Sequence, residues 1–157
     1  MVYQYAWRVN KYPVDAQAAG EYIEGMHKEH GVVTAQRLLA ASRDTAALLH
    51  PCFEWSDTVA AESYRLEQAR HLIGDLVSVK VTEAENAPSK PVRAFVSVSP
   101  GVSMVAQYVP IQDAMSDART RKTVLDNALT ELRTFQRKYE ALEELHGVFE
   151  AINKLTG

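Results

Sequence analysis

The chain has 157 residues, of which 46% are hydrophobic and 24% charged, and its formal net charge is −3. This composition is typical of a soluble globular domain and excludes a disordered chain. The weak negative charge gives no global attraction to nucleic acid or anionic lipid. We expect a cytoplasmic protein without a membrane partner, because no apolar run reaches the ~20 residues of a membrane span and the single cysteine cannot form an intrachain disulfide.

Residues 1–13 alternate ring-bearing and polar side chains, with Tyr3, Tyr5 and Trp7 on one side. This period of two predicts a short strand or an extended arm. Three rings on one side are costly to leave in water. The arm is therefore expected to pack on its own domain or on a neighbouring subunit.

Two helices are predicted next. Asp15 is placed to cap a first helix that runs to about His30, and Gly31 supplies the left-handed residue that ends it. Thr34 is placed to cap a second, shorter helix that extends to about Ser42. Both predictions rest on local capping chemistry.

A third main helix is predicted to begin at Ser56 or Asp57 and to end near Gly74. Its apolar arc includes two charged residues, Glu62 and Arg65, which lie three positions apart and can pair. Buried charges persist only when they are paired and hydrogen-bonded. We predict a partly buried structural ion pair between Arg65 and Glu62, with an anionic ligand on Arg65 as the alternative.

After residue 74 the pattern changes to a period of two. Residues 76–81 and 92–98 predict two strands joined by a loop, most simply a hairpin, and residues 105–109 are a candidate third strand. The expected class is α+β, with an N-terminal helical unit, a small antiparallel sheet and a long C-terminal helix. We expect an α+β domain over residues 1–110, including the arm, and a helical oligomerisation segment over 111–157.

The C-terminal segment carries a heptad pattern. A short helix is predicted over residues 113–118, and from about residue 121 apolar positions recur at alternating spacings of three and four. This heptad seam is Leu125, Ala128, Leu132, Phe135, Tyr139, Leu142, His146 and Phe149. A continuous helix of ~30 residues is too long for a domain of this size to cover.

The uncovered seam predicts a homo-oligomer, most simply a dimer. The expected interface residues are Leu125, Leu132, Phe135, Tyr139 and Leu142. The irregular seam favours antiparallel packing or a mixed bundle over a parallel coil. The alternative is that the helix breaks at Gly147 and residues 148–155 fold back as an internal helical hairpin.

Catalytic chemistry has weak support in the sequence. His27 and His30 lie at the end of a helix without a nearby cluster of further ligands, and His50 lies close to Cys52 without an orienting group. Glycine-rich phosphate loops and nucleophile elbows are absent. We therefore predict a protein that is not an enzyme, with no catalytic residues, no metal ligands and no cofactor.

Nucleic-acid binding is the main alternative function. Three helices followed by two strands resemble a winged helix-turn-helix, in which the 82–91 loop would be the wing. However, residues 14–99 contain eight Lys or Arg against twelve Asp or Glu, and duplex affinity rests on cationic contacts. A local basic stripe is predicted on the last helix, and a solvated, salt-bridged face is the preferred interpretation of it. This basic stripe is Arg119, Lys122, Arg133 and Arg137.

Three segments carry a family resemblance. They are VTAQRLLAASRD (33–44), LHPCFEWSDTVAAESYRLEQARHLI (49–73) and PVRAFVSV (91–98). Together they resemble a recurrent family of small phage and prophage proteins with no established activity. The resemblance implies a phage setting in the host cytosol and no site residues. The predicted function is an accessory protein that self-associates and binds a phage or host protein, with a small-ligand binder at a subunit interface as a weaker alternative.

Overall fold

The computed structural model describes residues 2–56, 61–81, 90–100 and 105–157. Its helices are α1 (Ala16–His30), α2 (Ala35–Ala41), α3 (Ala61–Asp75), α4 (Ile111–Ser116), α5 (Ala118–Tyr139) and α6 (His146–Thr156). Its strands are β1 (Val2–Trp7), β2 (Leu76–Val81), β3 (Val92–Arg93), β4 (Phe95–Ser97) and β5 (Tyr108–Pro110). Short 3₁₀ turns occupy His50–Cys52 and Glu143–Leu145. The α+β class with a long C-terminal helix is confirmed.

The capping predictions for α1 and α2 are confirmed. The Asp15 carboxylate accepts a hydrogen bond from the Ala18 amide, and Gly31 ends α1 with a φ of 79°. The Thr34 hydroxyl accepts a hydrogen bond from the Arg37 amide at the start of α2. The predicted cap at Asp57 lies outside the described residues.

The N-terminal arm is a strand of the protein's own sheet. β1 pairs antiparallel with β2, which pairs antiparallel with β3. The Tyr5 ring stacks on Phe95 with centroids 5.9 Å apart and lies directly against Gly20 of α1. The Trp7 indole donates a hydrogen bond to the Val14 carbonyl at 2.8 Å. The arm is thus fixed by its own chain through both backbone and ring contacts.

The strand predictions need a correction. β2 and β3 form the expected hairpin, and residues 82–89 of its 82–91 loop lie outside the described residues. The second predicted strand, 92–98, divides at Ala94, because the chain bends there and β4 pairs with β5 in a separate two-stranded sheet. Ala94 joins the two sheets, since its amide donates to the Leu76 carbonyl and its carbonyl accepts from the Ile111 amide.

The hydrophobic core lies between α1, α2, α3 and the sheets. Large side chains from all of these elements are fully buried, which is the packing that stabilises a domain of this size. They include Ile23, Leu38, Leu39, Leu49, Leu72, Ile73, Leu76 and Phe95. Neither α5 nor α6 contributes a residue to this cluster.

The prediction of one continuous helix from residue 121 to Phe149 is wrong. α5 ends at Tyr139, and Leu142 has an extended backbone with φ −88° and ψ 100°. The alternative placed the break at Gly147, which is wrong because Gly147 lies inside α6. Its internal helical hairpin is confirmed, since α6 folds back against α5. Three glutamates lie within residues 140–144, where the negative end of α5 disfavours further negative charge. The chain therefore turns back before the seam is complete.

Candidate interaction surface

Helix α5 presents an apolar stripe to the solvent. None of its 22 residues is buried by the chain. Leu125 is 56% exposed and Leu132 37%, and Phe135 is also exposed. Spacings of seven and three place these residues on one face of a helix. We call Leu125, Leu132 and Phe135 the α5 stripe. Its aligned exposure makes it a candidate interaction surface, which a scattered apolar residue is not.

Helix α6 covers only the C-terminal end of this surface. The buried Phe149 ring lies 6.4 Å from the ring of Phe135, and Phe135 in turn lies 4.9 Å from Tyr139. The Gln136 side-chain amide donates to the Asn153 side-chain oxygen at 3.2 Å. The two helices thus form a hairpin whose aromatic contacts leave the N-terminal half of the α5 stripe uncovered.

The hairpin adds two exposed apolar residues that sequence analysis did not assign to the interface, Val148 and Leu155 of α6. Leu142, which sequence analysis did assign, is also exposed, but it lies in the turn rather than in the helical seam. The apolar spacing of α6 itself was the signal for these residues, since residues 148, 149, 152 and 155 follow helical periodicity.

A groove separates α5 from the second sheet. Its volume is about 380 Å³, and Val96 of β4 faces Val124 and Ala128 of α5 across it. The Asn127 side-chain amide bridges to the Ser99 carbonyl at 3.0 Å. α5 therefore stands away from β4, and its N-terminal half presents apolar side chains both to this groove and to the solvent.

The basic stripe lies on α5, and its residues make separate contacts within the described chain. Its four residues, Arg119, Lys122, Arg133 and Arg137, are all exposed. Lys122 forms an ion pair with Asp126 at 2.7 Å, and Arg133 donates to the Thr156 carbonyl at 3.2 Å. These contacts are those of a solvated helix face and partly neutralise the stripe.

Arg65 is buried near the start of α3. Its Nε donates to the Glu54 carbonyl at 2.7 Å, and its Nη2 donates to the Ser56 carbonyl at 3.3 Å. The guanidinium lies 5.1 Å from the centroid of the Trp55 ring, within the range of a cation–π interaction. Its Nη1 lies 3.7 Å from Glu62 Oε2. The backbone carbonyls are thus closer partners of Arg65 than the predicted carboxylate.

Glu62 pairs more closely with another arginine. Both of its carboxylate oxygens accept hydrogen bonds from Arg43 Nη2, at 2.7 and 2.8 Å. The hydrogen bond from Arg43 holds the pKa of Glu62 below its usual range. Glu62 therefore connects α3 to the segment after α2, while Arg65 anchors the loop before α3.

The side chains considered above for metal binding and nucleophilic catalysis include His27, His30 and Cys52. His27 Nε2 lies 2.7 Å from Asp113 Oδ2, whereas His30 is exposed. Within the described residues, no group of three or more His, Cys, Asp or Glu side chains is placed to hold a metal ion. Burial raises the pKa of the Cys52 thiol to about 11, which opposes formation of a nucleophilic thiolate.

Sequence reasoning missed a buried carboxylate, Asp75, at the junction of α3 and β2. It accepts hydrogen bonds from Arg8 at 2.7 Å and Tyr12 at 2.6 Å, and Lys11 Nζ lies 3.1 Å away. Burial alone would raise the pKa of Asp75, but these hydrogen bonds outweigh it and lower the pKa to about 2. The weak signal was an aspartate placed directly between a helix and a strand. Asp75 ties the segment after β1 to the core.

The comparisons with known proteins gave no relative. No family model matches the chain, and neither a curated protein nor a solved structure does. Among the described helices, none combines the length and hydropathy of a membrane-spanning segment.

Proposed function

We propose that this protein is a non-enzymatic interaction protein that self-associates through α5 and α6. One observation supports this function: α5 has no residue buried by its own chain although the α5 stripe runs along it. A helix of 22 residues is ~33 Å long. Helices gain most of their stability from packing of an apolar face rather than from intrinsic propensity. A second copy of the same surface would supply that packing.

A two-fold homodimer with antiparallel α5 helices is the proposed arrangement. Two-fold homodimers are the commonest closed assembly. α5 contains six Lys or Arg and two Asp or Glu, and three of the cations lie in its first five residues. Antiparallel pairing brings these cations towards the glutamates at 140–144 of the other copy, whereas parallel pairing places like charges side by side.

The proposal also includes a phage or host protein as a further partner. This part rests on the resemblance of residues 33–44, 49–73 and 91–98 to phage and prophage proteins. The apolar surface of the hairpin, with Val148 and Leu155 beside the α5 stripe, is the proposed contact for either kind of partner.

Light scattering on a size-exclusion column tests the proposal. The chain mass is 17.5 kDa, so at tens of micromolar a dimer gives twice this mass. Leu125→Glu combined with Leu132→Glu should give the monomer mass, because two charges then enter the proposed interface. Leu48→Glu is the matched control, since Leu48 is 39% exposed but lies far along the chain from α5. A monomeric wild type, or equal effects of both variants, would contradict the proposal.

The exposed charge of α5 favours one second candidate, which is binding of nucleic acid along the basic stripe. A gel shift at several salt concentrations separates the two functions, since phosphate contacts make affinity fall steeply with salt. Under the second candidate, Arg119→Ala and Arg137→Ala should each lower the salt slope by about 1. Under the main proposal, micromolar protein does not shift duplex DNA near physiological salt.

A further inference from the structure

A small cavity lies between the first sheet, α1 and the start of α4. Its volume is about 220 Å³, which is below the ~300–1,000 Å³ of sites for drug-sized ligands. The lining side chains that carry the argument are Tyr5, Gln17, Glu21, Glu24, Ser78 and Asp113. The size fits a single functional group or a side chain rather than a cofactor.

The cavity is acidic. Three carboxylates line it, those of Glu21, Glu24 and Asp113, and its described lining contains no Lys, Arg or His. Lys28 pairs with Glu24 at 2.8 Å, and His27 pairs with Asp113 from outside the lining. The Glu21 carboxylate accepts a hydrogen bond from the Gln17 side-chain amide at 2.8 Å, which is a neutral donor.

A second observation comes from the floor of the cavity. Ser78 is 3% exposed, and it is paired directly with Tyr5 across β1 and β2, so both side chains lie on the same face of the sheet. Within the described chain its hydroxyl has no hydrogen-bond partner. Among the side chains of the described residues, the only fully buried N or O atom without a hydrogen-bond partner is His27 Nδ1, so the Ser78 oxygen is not fully buried. The hydroxyl of Ser78 therefore keeps its small exposure towards the cavity that it lines.

A hydroxyl that is nearly enclosed and has no protein partner gains a hydrogen bond when a polar group binds beside it. In the part of the chain that the structure describes, no group of three or more His, Cys, Asp or Glu side chains is placed to hold a metal ion. A larger cation with several N–H donors can instead reach both the carboxylates and the hydroxyl oxygen. The occupant must therefore combine positive charge with directed donors.

We propose that this cavity binds a cationic nitrogen group, an ammonium or a guanidinium, through Glu21, Asp113 and the hydroxyl of Ser78. The Tyr5 hydroxyl donates to Glu24 at 3.0 Å and holds that carboxylate at the cavity wall. The site is separate from the α5 stripe, so it does not depend on self-association.

Isothermal titration calorimetry with Nα-acetyl-arginine amide and Nα-acetyl-lysine amide tests the proposal, with Nα-acetyl-glutamine amide as the neutral probe. At least one cationic probe should bind and the neutral probe should not. Glu21→Gln should weaken that binding about tenfold, because a charge-assisted hydrogen bond is lost. Ser78→Ala should weaken it roughly fivefold, as expected for a neutral hydrogen bond, without lowering the melting temperature.

The matched control is Glu29→Gln, which removes the same charge from a position of α1 that is also exposed, as Glu21 is, but lies outside the cavity. It should change the affinity by less than about twofold, because Glu29 does not line the cavity and a distant exposed charge contributes little. Three results would overturn the proposal: no binding of either cationic probe at millimolar concentration, equal binding of the neutral probe, or equal weakening by Glu21→Gln and Glu29→Gln.

Discussion

The helix–sheet body, formed by the described part of residues 2–110, and the α5–α6 hairpin differ in where their apolar residues lie. In the body, Ile23, Leu38 and Leu72 are fully buried by neighbouring elements. In the hairpin only Phe149 and Ile152 are buried, and α5 has no buried residue at all. The body thus buries its apolar residues within one chain, whereas the hairpin leaves the α5 stripe exposed.

The two regions also differ in how they hold charge. The body buries Arg65 and Asp75, and each has several hydrogen-bond partners. α5 keeps its charges exposed, where each ion pair is worth ~0–1 kcal/mol. Single substitutions should therefore damage the body strongly, whereas the hairpin should respond chiefly to changes that affect association.

The largest effect is expected at Gly20, where α1 meets the ring of Tyr5. A Cβ at this position would overlap the Tyr5 ring, so Gly20→Ala must displace that ring or the helix and strand that hold it. We expect a loss of ~3 kcal/mol or more in the free energy of unfolding, measured by chemical denaturation.

The matched control is Gly25→Ala in the same helix, where an added Cβ meets no atom within 4 Å. It should stabilise the protein by up to ~1 kcal/mol through helix propensity alone. If Gly20→Ala and Gly25→Ala changed the free energy of unfolding alike, the close packing of β1 on α1 would be wrong.

The next largest effect is expected at Arg65. Arg65→Ala leaves the carbonyls of Glu54 and Ser56 without a buried donor, so it should destabilise the body by ~3 kcal/mol. Arg70→Ala is the control on the same helix, because Arg70 pairs with the exposed Glu67 and should cost less than ~1 kcal/mol. A thermal melt unchanged by Arg65→Ala would argue for a ligand-binding role of this side chain.

A smaller, pH-dependent effect is expected at Asp75. Its pKa is lowered from 3.8 to about 2 in the folded protein. A carboxyl group whose pKa is lower in the folded than in the unfolded protein stabilises the fold fully at pH values above its unfolded pKa. This stabilisation is lost as the pH falls towards its folded pKa. We expect a loss of ~2 kcal/mol between about pH 5 and pH 2. This step should be absent in Asp75→Asn and retained in Asp126→Asn, where the carboxylate is exposed.

Sequence reasoning succeeded where the deciding interactions are local. Asp15 and Thr34 cap helices through amides three residues away, and Gly31 ends α1 through its own left-handed backbone. The alternation in β2 and β3 likewise identified the hairpin. Each of these interactions joins residues within one helical turn or one pair of neighbouring strands, so it could be predicted from the sequence alone.

It failed where distant segments meet. Asp75 finds Arg8 across 67 positions of sequence, and the division at Ala94 depends on pairing with β5. The end of α5 was missed because the heptad spacing continues beyond Tyr139, while the packing of Phe149 on Phe135 requires the chain to turn. The acidic cavity was missed for the same reason, since residues from β2, α1 and α4, which are distant in sequence, line it.

Hydrogen–deuterium exchange at two protein concentrations tests most directly whether α5 is covered by a second copy. Amides of Ala118–Tyr139 should exchange faster in dilute protein than in concentrated protein, because protection reports the local opening free energy and the proposed dimer would raise it. Amides of α1 should be equally protected at both concentrations. Exchange of α5 that is slow and independent of concentration would contradict the account, because the helix would then be stable without a partner.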